Sequence, residues 1–588
     1  MLKKNQIHTA EITGYTAQGL GVCRIDGQVV FVHGGIHGEK LRVRIVKVLK
    51  QEAYGIIEEL LEPSPSRIKP DCPYNKACGG CATRHMDYAE ELRFKAARVR
   101  DALNRLGGQT LEEVPILGAE CTENYRNKAI FPVAEVDGVA EIGFYRARSH
   151  DLIPVECCRI QSPVADAARE AVLTWLRQYR IPVYDEVAHK GLVRHLYVRN
   201  AEATGQVLVC LVVCGNSVPR ENELVQSLRK AVPGLASVVL NENTQRGNVI
   251  LADRFRTLWG EDFIEDVLCG IRFRLSPRSF YQVNRKQAQR LYEMAITRAG
   301  LTGGETVLDL YCGTGTITLC LAKACKQAIG VEIIPAAIED AGKNAQENGI
   351  ENARFFCADA GQAALQLARE GIRPDVIVVD PPRKGLTGDV IEAMGQMHPK
   401  RIVYVSCDPG TLARDVKLLS EKGYILQTAD AVDLFPRCAH VETVCLLTLD
   451  TEDVQKMLCL DQHRRNNKGK GRGSMTHSMK LHSAPFSMIK SGKKTIELRL
   501  WDEKRRQMQV GDRMVFTNTA TGEELTAAIL ALHRFSTFEE LYRALPLLSC
   551  GYTPENVDAA APADMDAYYS PEKQRKYGVV GIELSLLA

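Results

Sequence analysis

RIVYVSCDPGTLARD, residues 401–415, begins as a buried strand and ends it abruptly. The β-branched run at 402–405 reads as a strand, and the turn residues of Ser406-Cys407-Asp408-Pro409-Gly410 stop it. A cysteine at the carboxyl end of a parallel strand lies where open α/β sheets bind ligands. Alone, such a cysteine is by default a small apolar residue. Three other stretches give Cys407 a different context.

The first is TVLDLYCGTGTIT at 306–318, a strand, a glycine-rich turn and an apolar run that reads as a helix. The glycines let a ligand approach the backbone, and the helix start offers free N–H groups. A second strand at 328–331 ends in Glu332, about 20 residues after the glycines, where a carboxylate can hold ribose hydroxyls. The turn is not GxGxxG and has no basic residue to cradle a phosphate, so S-adenosylmethionine fits it better than NAD. The second stretch is VIVVDPPRKG at 376–385, a strand ending in Asp380. Enzymes that methylate amines carry an aromatic residue after Asp-Pro-Pro, and here Arg383 stands in that place. The third is a late strand at Cys445-Leu446-Leu447, preceded by His440-Val441-Glu442-Thr443, from which Glu442 would enter the crevice of Cys407.

SFYQVN at 279–284, DLYCGTGT at 309–316, DPPRKG at 380–385, SCDP at 406–409 and HVET at 440–443 together resemble the RNA (uracil-5-)-methyltransferase family. The family usually shows SCNP, so Asp408 is a departure that leaves the nucleophile in place. The resemblance implies a Rossmann-like methyltransferase domain over 266–452, with Cys407 as nucleophile and Glu442 as base. It implies that Gln282, Tyr311, Glu332 and Asp380 contact S-adenosylmethionine. C5 of uracil is a poor nucleophile. A thiolate adding to C6 makes C5 carbanion-like, and a base must then remove the C5 proton so that the thiolate can leave. The expected substrate is 23S ribosomal RNA, with transfer RNA as the alternative. A non-catalytic RNA-binding scaffold would be marked by loss of Cys407 or Glu442, and both are present.

The 588 residues suggest about four domains. With 45% hydrophobic and 25% charged residues the composition is that of a globular protein. No apolar run reaches the ~18 residues of a membrane span, and the start of the chain lacks a signal-peptide core. Nineteen cysteines without such a signal favour a reducing compartment with metal or catalytic roles. A cytoplasmic monomer is expected. The net charge of +3 leaves RNA binding to local patches.

Residues 1–62 are short strands broken by glycines and resemble a TRAM domain, an OB-like barrel, with Lys40, Arg42, Arg44 and Lys47 as a basic element. A central α+β domain is expected over 63–265. It opens with Cys72, Cys78 and Cys81 at C-x5-C-x2-C, a spacing that suits metal ligation by zinc or an iron–sulfur cluster. The family resemblance implies a [4Fe-4S] cluster with Cys158 as fourth ligand and Cys157 as its runner-up. Residues 84–107 suit an amphipathic helix with Arg93, Lys95, Arg98, Arg100 and Arg105 on its polar side. YRNK at 125–128 and FYRAR at 144–148 mix aromatic and cationic residues, as base stacking and phosphate contact would need. Residues 453–478 read as a flexible basic linker. Residues 479–588 resemble an ASCH domain, a small β-barrel, through Gly492, Lys494, Glu497 and Arg499. The expected fold class is multidomain α/β.

Overall fold

The computed structural model describes residues 2–450, 475–553 and 555–587. They fall into two compact units, divided between Val454 and Gln455. The expected linker lies outside the described residues up to residue 474. From there the chain is ordered: the strand Thr476–Leu481 begins inside the stretch expected to be flexible.

The first unit holds three large sheets. At its start, six strands are ordered Ile7–Glu11, Lys40–Val48, Glu52–Glu62, Gln28–His33, Gly21–Ile25 and Gly14–Tyr15. Alternate residues of these strands, among them Val30, Val32, Leu41, Val43 and Ile45, form the core. The expected basic element is largely neutralised here. Lys40 pairs with Glu62 at 3.2 Å and Arg42 with Glu59 at 3.0 Å, and Arg44 pairs with Glu58. These glutamates come from the neighbouring antiparallel strand, where opposite charges face each other.

A seven-stranded sheet follows, centred on Val193–Asn200 and Val207–Val213. Every residue of VLVCLVV at 207–213 is buried, because Val207, Val209, Leu211 and Val213 pack with helices Pro163–Gln178 and Glu221–Ala231 while Leu208 and Cys210 on the other face join a core with Ile264, Phe273 and Leu291.

The third sheet carries the motifs. We name its long strands β1 (Thr306–Leu310), β2 (Gln327–Glu332), β3 (Ala353–Cys357), β4 (Val376–Val379), β5 (Arg401–Ser406), β6 (Tyr424–Val432) and β7 (Glu442–Leu449). Their spatial order is β3-β2-β1-β4-β5-β7-β6, with β7 antiparallel to both neighbours. The order reverses at β1, so the crevice at the carboxyl ends of β1 and β4 is a switch point for ligand binding. All four residues of β4 are buried, as a strand covered on both faces requires.

Residues 88–117, expected in the central domain, belong physically to this sheet. Ile116–Leu117 pairs with the end of β6. Val99, Leu103 and Val114 join the core that holds Tyr404, Leu412 and Val441. The helix Tyr88–Arg105, capped by Asp87, presses one face against the sheet. Lys95 is therefore not on a polar surface. It is fully buried, with its ammonium 2.7 Å from Glu91 and 2.6 Å from Asp433. It also donates to the Phe435 carbonyl at 3.1 Å. Among the described residues, no helix is long and apolar enough to cross a membrane.

The second unit has one sheet, ordered Thr476–Leu481, Arg513–Asn518, Glu524–Phe535, Val579–Leu586 and Ile496–Leu500. Met479, Phe486, Met514, Phe516 and Ile582 build its core.

Lys95→Met removes the cation between two buried carboxylates. Breaking a buried pair in this way costs about 3–5 kcal/mol. Residues 433–442 should lose hydrogen-exchange protection accordingly, and unchanged protection there would show that the triad does not hold the loop.

Candidate active site

The site is built where strands end. Antiparallel pairing of β5 with β7 runs from Arg401↔Thr448 to Ser406↔Thr443. The next pair in that register is Cys407 and Glu442. The sheet thus sets the thiol and the carboxyl side by side, although they are far apart along the chain. Cys407 is half-buried and Glu442 is buried. Beyond Cys407, Asp408 caps the helix Pro409–Ser420, accepting from Gly410 N at 2.9 Å and Thr411 N at 3.0 Å. An asparagine would cap as well, so the departure from SCNP leaves the turn intact.

The electrostatics of this crevice disfavour charge. Burial pushes the Glu442 carboxyl up to about 8, helped by the Asp380 carboxylate and opposed by the Arg383 guanidinium. Burial pushes the Cys407 thiol up to about 11, again with Glu442 and Asp380 raising it and Arg383 lowering it. Burial alone takes Asp380 up to about 7. Burial raises all three acidic groups, and Arg383 opposes the rise at Cys407 and Glu442.

The glycine-rich turn lies at the end of β1. Tyr311 there has φ 75°, an uncommon conformation for a residue with a side chain, and Gly313 and Gly315 follow at φ 55° and 82°. On β2, a Cβ added to Gly330 would stand 2.7 Å from Phe355 and 2.9 Å from the Cys312 sulfur, so only glycine lets the turn settle onto the strand. Glu332 at the end of β2 accepts from Gly313 N at 3.2 Å, and from Ile333 N at 2.9 Å and Ile334 N at 3.1 Å. These bonds fix its carboxylate at the lip of the turn. Gln282 reaches the same region. It lies near the buried Tyr292, whose hydroxyl is pushed up by burial and is also influenced by Asp380, Thr316 and Gln282. Tyr311, Glu332 and Asp380 lie at the carboxyl ends of β1, β2 and β4, the side of the sheet on which the glycine-rich turn sits. Tyr292 joins three of the motifs and was not foreseen, because a tyrosine on the apolar face of a helix reads as core.

A second constellation lies elsewhere in the same unit. Cys72, Cys78, Cys81 and Cys158 line one cavity of about 210 Å³, together with Cys157 and Cys438. Among the described residues, no three His, Cys, Asp or Glu side chains converge closely enough to hold a single metal ion. Cys157 is exposed, whereas Cys158 is partly buried with its N–H donating to Asp166 at 3.3 Å. Arg84 also lines the cavity. It is 2% exposed, and its Nε and Nη2 have no hydrogen-bond partner, as is true of Gln161 Oε1 beside it.

Some expected RNA contacts are otherwise employed. Tyr125 is buried and donates to the Pro436 carbonyl at 2.9 Å, and Phe144 packs against Phe131. In the second unit, Lys494 lies 2.9 Å and Arg499 2.7 Å from the buried Glu497, so the three motif residues do meet. Arg499 also donates to the Tyr569 hydroxyl at 3.2 Å.

Comparison with known proteins gives three family matches. Residues 252–450 match tRNA (Uracil-5-)-methyltransferase, residues 2–57 match the TRAM domain and residues 479–588 match the ASCH domain. An uncharacterized RNA methyltransferase of Clostridium tetani is 42% identical over 447 residues, 76% of this chain and 97% of the relative. One from Clostridium acetobutylicum is 43% identical over 76% of this chain and 98% of its own length. The Pyrococcus abyssi tRNA (uracil-54, C5)-methyltransferase, solved with S-adenosyl-L-homocysteine, is 27% identical with a TM-score of 0.61. That match covers 75% of this chain and 99% of the other.

A thiol that titrates near 11 gains thiolate about tenfold per pH unit below that value. Alkylation of Cys407 by iodoacetamide, followed by peptide mass spectrometry, should rise with that slope between pH 7 and 10. Glu442→Gln removes an anion that raises the thiol. At pH 9, where Glu442 is largely ionised, the variant should alkylate faster, and slower alkylation would contradict the electrostatic picture.

Proposed function

Because the chain belongs to the RNA (uracil-5-)-methyltransferase family, we propose that it methylates C5 of a uridine in 23S ribosomal RNA, with Cys407 as nucleophile and Glu442 as base. The register that sets Cys407 opposite Glu442 carries this reading. The Cys407 sulfur adds to C6 of the uracil, and C5 becomes the nucleophilic carbon. S-adenosylmethionine, when bound, supplies the methyl group on a sulfonium. Glu332 is placed to hold its ribose, with Gln282, Tyr311 and Asp380 around the rest. Glu442 then takes the C5 proton, the bond between sulfur and C6 breaks, and Cys407 leaves as the double bond re-forms. A carboxyl raised to about 8 is a stronger base than an exposed one once ionised, so the step requires Glu442 to have lost its proton before the C5 proton is taken. Arg383 is the cation beside both groups and favours the thiolate.

The cysteine cavity supports a [4Fe-4S] cluster held by Cys72, Cys78, Cys81 and Cys158. Four thiols lining one cavity match in number the four thiolates that such a cluster uses. The unpartnered N–H groups of Arg84 suit an anionic group there. Such a cluster favours the ribosomal substrate, since family members acting on transfer RNA commonly lack these cysteines. A transfer-RNA uridine is the second reading, favoured by the similarity to the Pyrococcus abyssi enzyme.

Mass spectrometry of 23S ribosomal and transfer RNA from a strain lacking the protein separates the two substrates by which RNA loses 5-methyluridine. Cys407→Ala should abolish methylation and leave S-adenosylmethionine binding intact, and methylation near the parent rate would refute the nucleophile. Glu442→Gln should transfer the methyl group and then stall, so that a covalent protein–RNA adduct persists on a denaturing gel. Normal product release would exclude Glu442 as the base. Protein purified without oxygen should carry about four irons. Cys158→Ser should lose them and Cys157→Ser should keep them, whereas colourless protein with one zinc would settle the metal the other way.

A further inference from the structure

We propose that Arg98 is a positioning residue for this reaction: one guanidinium, from the helix Tyr88–Arg105, spans the turn after Cys407 and the loop before Glu442. The proposal rests on the roles given to Cys407 and Glu442. Arg98 Nη1 donates to the Ala439 carbonyl at 2.7 Å, three residues before Glu442. Its Nη2 lies 3.9 Å from Asp408 Oδ2, one residue after Cys407. The Arg98 side chain is 15% exposed, so both contacts are partly shielded from water.

Asp408 divides its carboxylate between two tasks. Oδ1 accepts the two capping N–H groups at 2.9 and 3.0 Å, and Oδ2 faces Arg98. An asparagine would keep the cap but turn an NH2 group toward the guanidinium. The acid at this position therefore makes a link that the usual SCNP sequence lacks. The ladder of β5 and β7 is registered as far as Ser406↔Thr443. Arg98 ties the two chain segments just past that point, where the thiol and the carboxyl must face one carbon pair of the uracil ring. Its charge also lies close enough to interact with that of Cys407.

Misplacing reacting groups by ~1 Å costs on the order of 100-fold in rate. Full-length Arg98→Met should therefore lose roughly 10- to 100-fold in kcat. KM for S-adenosylmethionine should not change, because the hydrogen bond of Arg98 goes to the Ala439 loop and its ion pair to the Asp408 turn, not to the Glu332 lip. In an Asp408→Asn background, the same Arg98→Met change should cost measurably less, since part of the link is already gone. Arg98→Lys keeps the charge but cannot span both partners. It guards against a misfolded Met variant and should give an intermediate kcat. Parent-like kcat in Arg98→Met overturns the proposal, as does an equal penalty in the parent and Asp408→Asn backgrounds. A chain that forms no 5-methyluridine, or whose Cys407→Ala variant is active, refutes the underlying assignment instead.

Discussion

Lys95 sits out of contact with water between Glu91 and Asp433, residues from opposite ends of the catalytic unit. A buried cation persists only if its partners are held in place. The partners are bound further. Tyr88 donates to Asp433 at 2.7 Å, and Glu91 accepts from Arg437 N at 2.7 Å. The helix that precedes the central sheet is thereby fastened to the loop that leads into β7. Everything at the site depends on where that loop lies, because its far end carries Glu442.

The crevice this creates is chemically reluctant. Glu442, Asp380 and Cys407 all hold their protons more tightly than usual, and a single arginine opposes the trend. A free thiolate would react with any electrophile that entered. A thiol held protonated is protected from that, and the same desolvation raises the Glu442 carboxyl. One physical cause, burial, thus acts on both groups.

The site's main residues were legible because they sit at strand ends marked by turn chemistry: Cys407 before Pro409-Gly410, Asp380 before Pro381-Pro382, and Glu332 at the end of β2. The pairing of β5 with β7 that sets Cys407 opposite Glu442 was not legible, because it depends on an antiparallel register between segments far apart in sequence. Lys95 and Arg98 were read wrongly as surface cations. On their own helix they fall in a charged stripe, and the partners that bury them lie more than 300 residues away in sequence. Helical periodicity cannot report such partners. The cations at 40, 42 and 44 were a different failure, since their glutamates lie 14 to 22 residues onward in the next strand. That cross-strand cancellation was open to inspection once the hairpin was recognised. The short glycine-broken strands at the start of the chain, which form the first sheet, were legible. The attachment of residues 88–117 to the methyltransferase sheet was not, because a two-residue strand such as Ile116–Leu117 has no pattern to read.

The loop from Asp433 to Glu442 also forms part of the cysteine cavity. Cys438 lines that cavity, with its thiol 3.4 Å from the Gly80 carbonyl, and Thr83 N donates to the Arg437 carbonyl at 3.3 Å. Gly80 and Thr83 flank Cys81. The segment bearing the metal-ligand spacing and the segment bearing the base are therefore in direct contact, four residues from Glu442. The cysteine-bearing segment thus braces one side of this loop while Lys95 anchors the other, and Arg98 bonds Ala439 between them. The backbone from which Glu442 projects is therefore held by the walls of the cysteine cavity as well as by the buried triad.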